Sequence, residues 1–306
     1  MKLSPLISGL AALPMGALAW GGFGHITVAY VASNFVSSET SAYFQNLLRN
    51  HTQDYLSGVA TWADSVRYTK WGHFSGPLHY IDAKDSPPTY CGIVYERDCK
   101  QEGCVVSAIQ NYTSQLLDPE LHESARLIAA KFIIHFVGDI HQPLHTEDVA
   151  KGGNGILVKF DDVKLNLHHV WDTSIAEKLV SGGRVSRQPY GEAKRWADAL
   201  TAEINDGKFN VSSRSWLEGV DLADPIATAL RWAIEGNEHV CTTVLPRGPD
   251  EIRNQELGGG TEYLLKAAPV VELQIAKAGY RLAAWLNLIA AAIAKSEREH
   301  STAGDL

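Results

Sequence analysis

The chain has 306 residues, 45% hydrophobic and 20% charged, which is enough apolar material for a large buried core. Its formal net charge of −8 excludes a broadly basic protein that tracks phosphates by surface charge. Any affinity for phosphate must therefore be local, and bound cations are one way to supply it.

Residues 1–19 read as a secretory signal. Lys2 is the n-region charge, an apolar stretch runs from Leu3 to Leu18, and Ala17-Leu18-Ala19 is a small-residue cleavage site. Cleavage there would leave Trp20 as the new N-terminus. An uncleaved anchor fits less well, because the span is short and broken by Gly9, Pro14 and Gly16. The expectation is a secreted, extracellular protein with no membrane association. Its four cysteines suit an oxidising compartment and allow three disulfide pairings. Cys99 and Cys104 close so small a loop that they are paired together, leaving Cys91 with Cys241. A C-x4-C zinc site is the rival, but no second thiolate pair accompanies it. Sequons at Asn50, Asn111 and Asn210 fit an exported glycoprotein.

Helical spacing dominates the rest. It predicts helices over His25–Val36, Ser41–Leu48 and Val59–Tyr68, then a stapled loop over Pro77–Cys104. Helices resume over Val105–Leu117 and Glu123–Ile140, and Pro143 ends the latter within a turn. Gly152-Gly153-Asn154-Gly155 opens the one β signal, a hairpin of Ile156–Phe160 and Val163–Leu167 around Asp161-Asp162. Further helices are expected over Tyr190–Ile204, Pro225–Val240 and Pro269–Ile293. The last is apolar but carries Glu272, Lys277 and Arg281, so it reads as a buried amphipathic helix. A polar tail over 295–306 is expected to be disordered. The fold class is mainly α, with one domain over 20–294.

Histidine placement carries the chemistry. In the run His135 to His145, His135 and Asp139 are four apart, so a helix stacks both on one face. His145 follows the Pro143 turn and can swing back toward them. A second such spacing occurs in His168-His169-Val170-Trp171-Asp172. An H-x-x-x-D pair is often only a surface ion pair. Two of them, with a histidine between and apolar flanks that bury the helix, suit a multi-metal site, and imidazole with carboxylate suits zinc.

The segments Trp20-Gly21-Gly22-Phe23-Gly24-His25, Thr61-Trp62-Ala63-Asp64, His79-Tyr80-Ile81-Asp82, His135–His145 and Asn166-Leu167-His168-His169-Val170-Trp171-Asp172 carry a resemblance over essentially the whole mature chain. So does Ile275-Ala276-Lys277-Ala278-Gly279-Tyr280-Arg281. The sequence resembles the fungal and plant single-strand-specific nucleases, related in fold to bacterial zinc-dependent phospholipase C. The resemblance implies three zinc ions. One would take Asp64, His79, His135 and Asp139, and a second His145, His168 and Asp172. The third would take His25, a bridging Asp139, and the α-amine and carbonyl of Trp20, an amine that only signal cleavage frees. Spacing to Asp172 favours His168 over His169. The remaining histidines, His51, His73, His122, His141, His239 and His300, are read as surface or internally satisfied.

From the same resemblance, Asp64 would orient the attacking water and Arg67 would stabilise phosphoryl oxygens. Tyr80 would stack a base, Asp82 would bind its edge, and Asn154 would add a second polar contact. The implied activity is hydrolysis of single-stranded DNA and RNA to 5′-phosphates, and of 3′-nucleotides, by a monomer. The rivals are a phospholipase C-like enzyme acting on lipid headgroups and a non-catalytic zinc-binding glycoprotein.

Overall fold

Apolar stretches of helical spacing become the helices of a computed structural model that describes residues 20–303, apart from 187, 210 and 211. The signal expected over 1–19, the sequon residue Asn210 and the chain end at 304–306 lie outside the described residues. In chain order the helices are α1 Gly22–Phe35, α2 Ser38–Leu48, α3 Trp62–Val66, α4 Tyr95–Asp98, α5 Val105–Leu117 and α6 Glu123–Asp139. They continue with α7 Leu167–His169, α8 Ile175–Ser181, α9 Tyr190–Asp206, α10 Pro225–His239, α11 Pro249–Ile252 and α12 Glu262–Ala303. One antiparallel hairpin, β1 Leu157–Phe160 and β2 Val163–Asn166, is the only sheet among the described residues. The architecture is the mainly α one expected.

The hairpin turns at Asp161 and Asp162, both with positive φ (49° and 64°), as a two-residue turn matching strand twist requires. Both pairings of cysteines hold: Cys91 bonds Cys241, and Cys99 bonds Cys104. They fasten the 77–104 segment, which is mostly irregular apart from α4 and the end of a 3-10 helix over His73–His79.

Three expectations needed revision. The helix expected over Val59–Tyr68 is a 3-10 turn, Ser57–Val59, followed by the short α3. The break falls at Ala60, whose carbonyl accepts from His135 Nδ1 at 2.7 Å. The last helix starts at Glu262, seven residues before Pro269. Its first turns lie at the surface beside exposed Leu265, where water can satisfy the carbonyl that Pro269 cannot reach. It then runs on to Ala303, so most of the expected disordered tail is helical. Its Lys, Ser, Glu and Arg residues tolerate helix well, and Lys295 faces Glu299 one turn on.

Helix α1 is buried from Phe23 to Ala32, apolar nearly all round, and packs between α12 and α9. Gly279 of α12 sets how close the helices come: a Cβ there would lie 2.4 Å from Val31 Cβ and 3.0 Å from Val28 O. Two residues on, buried Arg281 donates to Glu235 Oε2 (2.6 Å), Trp216 O (2.9 Å) and His141 Nε2 (3.0 Å). Burial would raise the Glu235 carboxyl, but Arg281 and Lys277 hold it down to about 2. Burial and Arg281 push His141 down to about 3, so it is neutral, with Nδ1–H donating to Val137 O. His141 is thus satisfied within the protein, and α12, α10 and the end of α6 are locked together beneath the site. Replacing Gly279 by Ala should overpack the α1–α12 contact at a cost of about 1–3 kcal/mol. Thermal unfolding should show a midpoint several degrees lower; an unchanged midpoint would mean the two helices separate freely.

Candidate metal centre

The centre is assembled from loop ends and helix ends around the C-terminal turn of α6. His135 and Asp139 project from its buried face, as their spacing predicts. The chain then bends, and Gln142 caps a 3-10 turn, Pro143–Thr146, that returns His145. Asn166 caps α7 by accepting from His169 N at 2.7 Å, which accounts for the Asn-Leu-His pattern. A π turn, Val170–Ser174, follows and carries Asp172.

Asp139 is wholly buried and divides its two oxygens. Oδ1 lies 3.1 Å from His25 Nε2, while Oδ2 lies 2.9 Å from His79 Nδ1 and 3.3 Å from His135 Nε2. Asp64 Oδ1 approaches His135 Nε2 (3.7 Å) and His79 Nδ1 (4.0 Å). Separately, Asp172 faces His168 Nε2 at 3.1 Å and His145 Nε2 at 3.9 Å. Three groups result, each able to converge on one ion: Asp64/His79/His135, His25/His135/Asp139 and His145/His168/Asp172. Trp20 is buried next to them. Gly21 N donates to Asp172 O at 2.7 Å, and Gly24 leaves room for the Trp20 side chain, which a Cβ at 24 would meet at 2.8 Å.

Backbone carbonyls fix how the imidazoles point. Nδ1–H donates to Ala60 O in His135, to His79 O in His145 (2.7 Å) and to Gly152 O in His168 (2.6 Å). Each bond aims Nε2 inward, the orientation that metal-ligating histidines need. Gly152 has φ 57°, and a Cβ there would sit 2.6 Å from Leu144 O, so the Gly-rich turn exists to bring that carbonyl under His168.

The electrostatics favour positive charge here. Burial alone would raise Asp139, yet His135, His25 and His79 hold it well below the usual carboxylate range. Burial would lower His135, but Asp139 and Asp64 lift it to about 9. Burial lowers His25 and His145, and takes His79 down to about 4. His168 is raised because Asp172 outweighs its burial. Meanwhile His25 Nε2, Asp64 Oδ1, Asp139 Oδ1, His145 Nε2 and His168 Nε2 are buried without a hydrogen-bond partner. Orphaned polar atoms cost about 1–3 kcal/mol each, so their concentration on these residues calls for a shared partner. The donor set of imidazole and carboxylate fits zinc, whose bonds of about 2.0–2.1 Å set tetrahedral ligand atoms roughly 3.3 Å apart. His135 Nε2 and His79 Nδ1 are 3.1 Å apart.

The other predicted residues lie around this cluster. Arg67 Nη2 is 3.6 Å from Asp64 Oδ1 and donates to the Tyr68 hydroxyl at 3.1 Å. The Tyr80 ring is exposed while its backbone is pinned, its carbonyl accepting from Val105 N and the next amide, Ile81 N, donating to His145 O (both 2.9 Å). Asp82 is paired with Lys100, a partner that no sequence pattern connects to it. Asn154 Nδ2 donates to Lys151 O at 2.8 Å, a turn-forming role. Among the sequons, Asn111 is exposed on α5 and Asn50 accepts from Thr52 in a local turn.

Gln142 is a functional residue that the sequence reading does not find. Fully buried, it donates from Nε2 to Asp172 Oδ1 and accepts from Leu144 N, so it orients the carboxylate while shaping the turn that returns His145. Its one signal is an amide set between ligands in a buried run. Gln142→Leu should weaken metal binding roughly 10- to 100-fold. Metal content after dialysis against graded chelator tests this, and full retention at wild-type chelator levels would refute the assignment.

A profile of the S1/P1 Nuclease family matches residues 20–291. The chain is 48% identical to Nuclease S1 of Aspergillus oryzae over 94% of its own length and 98% of that protein's. It is 43% identical to Nuclease P1 of Penicillium citrinum, covering 88% of this chain and 97% of that one. Endonuclease 4 of Arabidopsis thaliana is 33% identical, with 92% of each chain covered. With a match of this length and relatives this similar, the chain belongs to the S1/P1 nuclease family.

Proposed function

We propose that the protein is a secreted, monomeric zinc endonuclease that hydrolyses single-stranded DNA and RNA to 5′-phosphate products and also dephosphorylates 3′-nucleotides. The observation that carries this reading is the set of three converging histidine–aspartate groups with orphaned inward atoms, in a chain of nuclease family.

Zinc would be held by Asp64, His79, His135 and Asp139, by His145, His168 and Asp172, and by His25, Asp139 and the freed Trp20 terminus. When bound, zinc supplies Lewis acidity toward a phosphoryl oxygen and a nucleophilic water near neutral pH. The protein's own part is to hold five imidazoles and three carboxylates rigid and dry. Asp64 reaches from the cluster edge toward Arg67, where its carboxylate can orient a water for in-line attack. The Arg67 guanidinium donates to the non-bridging oxygens as charge builds on them.

Single-strand preference follows from the pinned Tyr80 segment. A base must leave a duplex to lie on that ring, and an unpaired base does so at little cost. Asp82 offers a carboxylate to the base edge once Lys100 shares it, and Asn154 lies in the turn beneath His168. The phospholipase C-like alternative is not favoured, because the family is one of nucleases and an aromatic ring beside a carboxylate suits a base better than an acyl chain. Among the described residues no helix is long and apolar enough to cross a membrane.

Digestion of a single-stranded oligonucleotide beside its duplex tests the reading. Cleavage of the single strand to 5′-phosphates should vanish with chelator and return with zinc. Zinc-loaded protein that leaves the oligonucleotide intact but hydrolyses phosphatidylcholine would replace this reading with the lipid one.

A further inference from the structure

The segment that joins the ligands Asp64 and His79 carries a concentration of exposed aromatic surface. Tyr68 is 63% exposed, Trp71 55%, Phe74 53% and Tyr80 38%. Large rings left in water at this density mark a binding surface, since isolated exposure is ordinary but a contiguous patch is not. Trp71 and Phe74 touch each other and rest on the core below. Trp71 lies 6.2 Å from Trp62 and 6.0 Å from Phe74, while Phe74 and Trp62 both pack on Phe132, one turn before His135 on α6.

The patch is built rigid. Gly72 is buried, and a Cβ there would lie 2.3 Å from Val66 O, so the turn beneath Trp71 is tight. Thr69 Oγ1 donates to Val66 O (2.7 Å) and accepts from Gly72 N (3.0 Å), and Ser75 Oγ donates to Gly72 O (2.8 Å). Such a surface stacks a partner without first being ordered. Its charge is unlike the rest of the chain. Between Ser65 and Ile81 there are Arg67 and Lys70 and no Asp or Glu, in a protein of net charge −8. Lys131 adds an ammonium 5.0 Å from the Trp62 ring, and the Arg67 guanidinium lies 5.1 Å from the Tyr68 ring.

Aromatic faces interleaved with cations, in a stretch of chain that itself carries no carboxylate, fit one chemical class: a run of unpaired nucleotides, whose bases stack while phosphates meet the cations. Along the chain these rings lie between Arg67, assigned above to the phosphoryl oxygens, and Tyr80, assigned above to the base. We propose that Tyr68, Trp71 and Phe74 form a strand platform that stacks the nucleotides flanking the one bound at Tyr80, so that the enzyme selects extended single strands over dinucleotides. This rests on the nuclease reading, and it names the residues that set substrate length.

The test compares kcat/KM for an oligothymidylate of about a dozen residues with that for a dinucleotide, in the zinc-loaded enzyme. The ratio of the two should fall about tenfold in Trp71→Ala, further when Phe74→Ala is added, and largely recover in Trp71→Phe, which keeps an aromatic face. A ratio unmoved in folded, zinc-replete variants overturns the platform. If Trp71→Ala fails to fold, the surface change Phe74→Ala alone decides by the same ratio. If wild type cleaves neither substrate, the nuclease reading fails by itself. Tryptophan fluorescence of the chelated protein then decides the platform: quenching by oligothymidylate that Trp71→Ala or Phe74→Ala weakens supports it, and absence of binding overturns it.

Discussion

The structure depends on one buried carboxylate. Asp139 is wholly enclosed, and an isolated charge so placed would be driven to take a proton. It stays ionised because three imidazoles from three parts of the chain close on its two oxygens: His25 from α1, His79 from the end of a 3-10 helix and His135 from α6. Helices α1 and α6 and the 73–79 segment are therefore held by a common electrostatic constraint. The hydrophobic core around Phe132, Phe136 and Trp171 surrounds that constraint and keeps water from screening it.

This also explains how an acidic protein can serve an anionic substrate. Its surface charge would repel a phosphodiester, but the Asp64, Asp139 and Asp172 carboxylates are buried and turned to the cluster, where cations would outweigh them. Nearby, the 65–81 segment exposes Lys70 and several aromatic rings and carries no carboxylate. Attraction is thus confined to the mouth of the site, and the Tyr80 ring and the rigid turn around Gly72 give it shape.

Much of this is legible in the sequence where a local rule applies. The four-residue spacing of His135 and Asp139, and of His168 and Asp172, needs only a helix to become a contact. Cys99 and Cys104 could hardly pair otherwise, and Asp161-Asp162 marks its own turn. What spacing cannot give is the meeting of distant segments. Asp64 and His79 sit in short, irregular elements with no periodicity, and only the likeness of their motifs to a known family points to them. Partnerships through backbone carbonyls, such as Ala60 with His135 and Gly152 with His168, leave no side-chain pattern at all. Gln142 and Lys100 are invisible for a related reason: each acts on a carboxylate brought near by tertiary packing. The long end of α12 escapes the sequence reading because a charged stretch looks solvated whether it is coil or helix.

Zinc-edge anomalous scattering from crystals of the protein prepared to begin at Trp20 tests the central claim most directly. The account predicts three peaks: one among Asp64, His79, His135 and Asp139, one among His145, His168 and Asp172, and one between His25, Asp139 and the Trp20 terminus. Crystals grown with zinc that show no peak within ligand distance of Asp139 would contradict it.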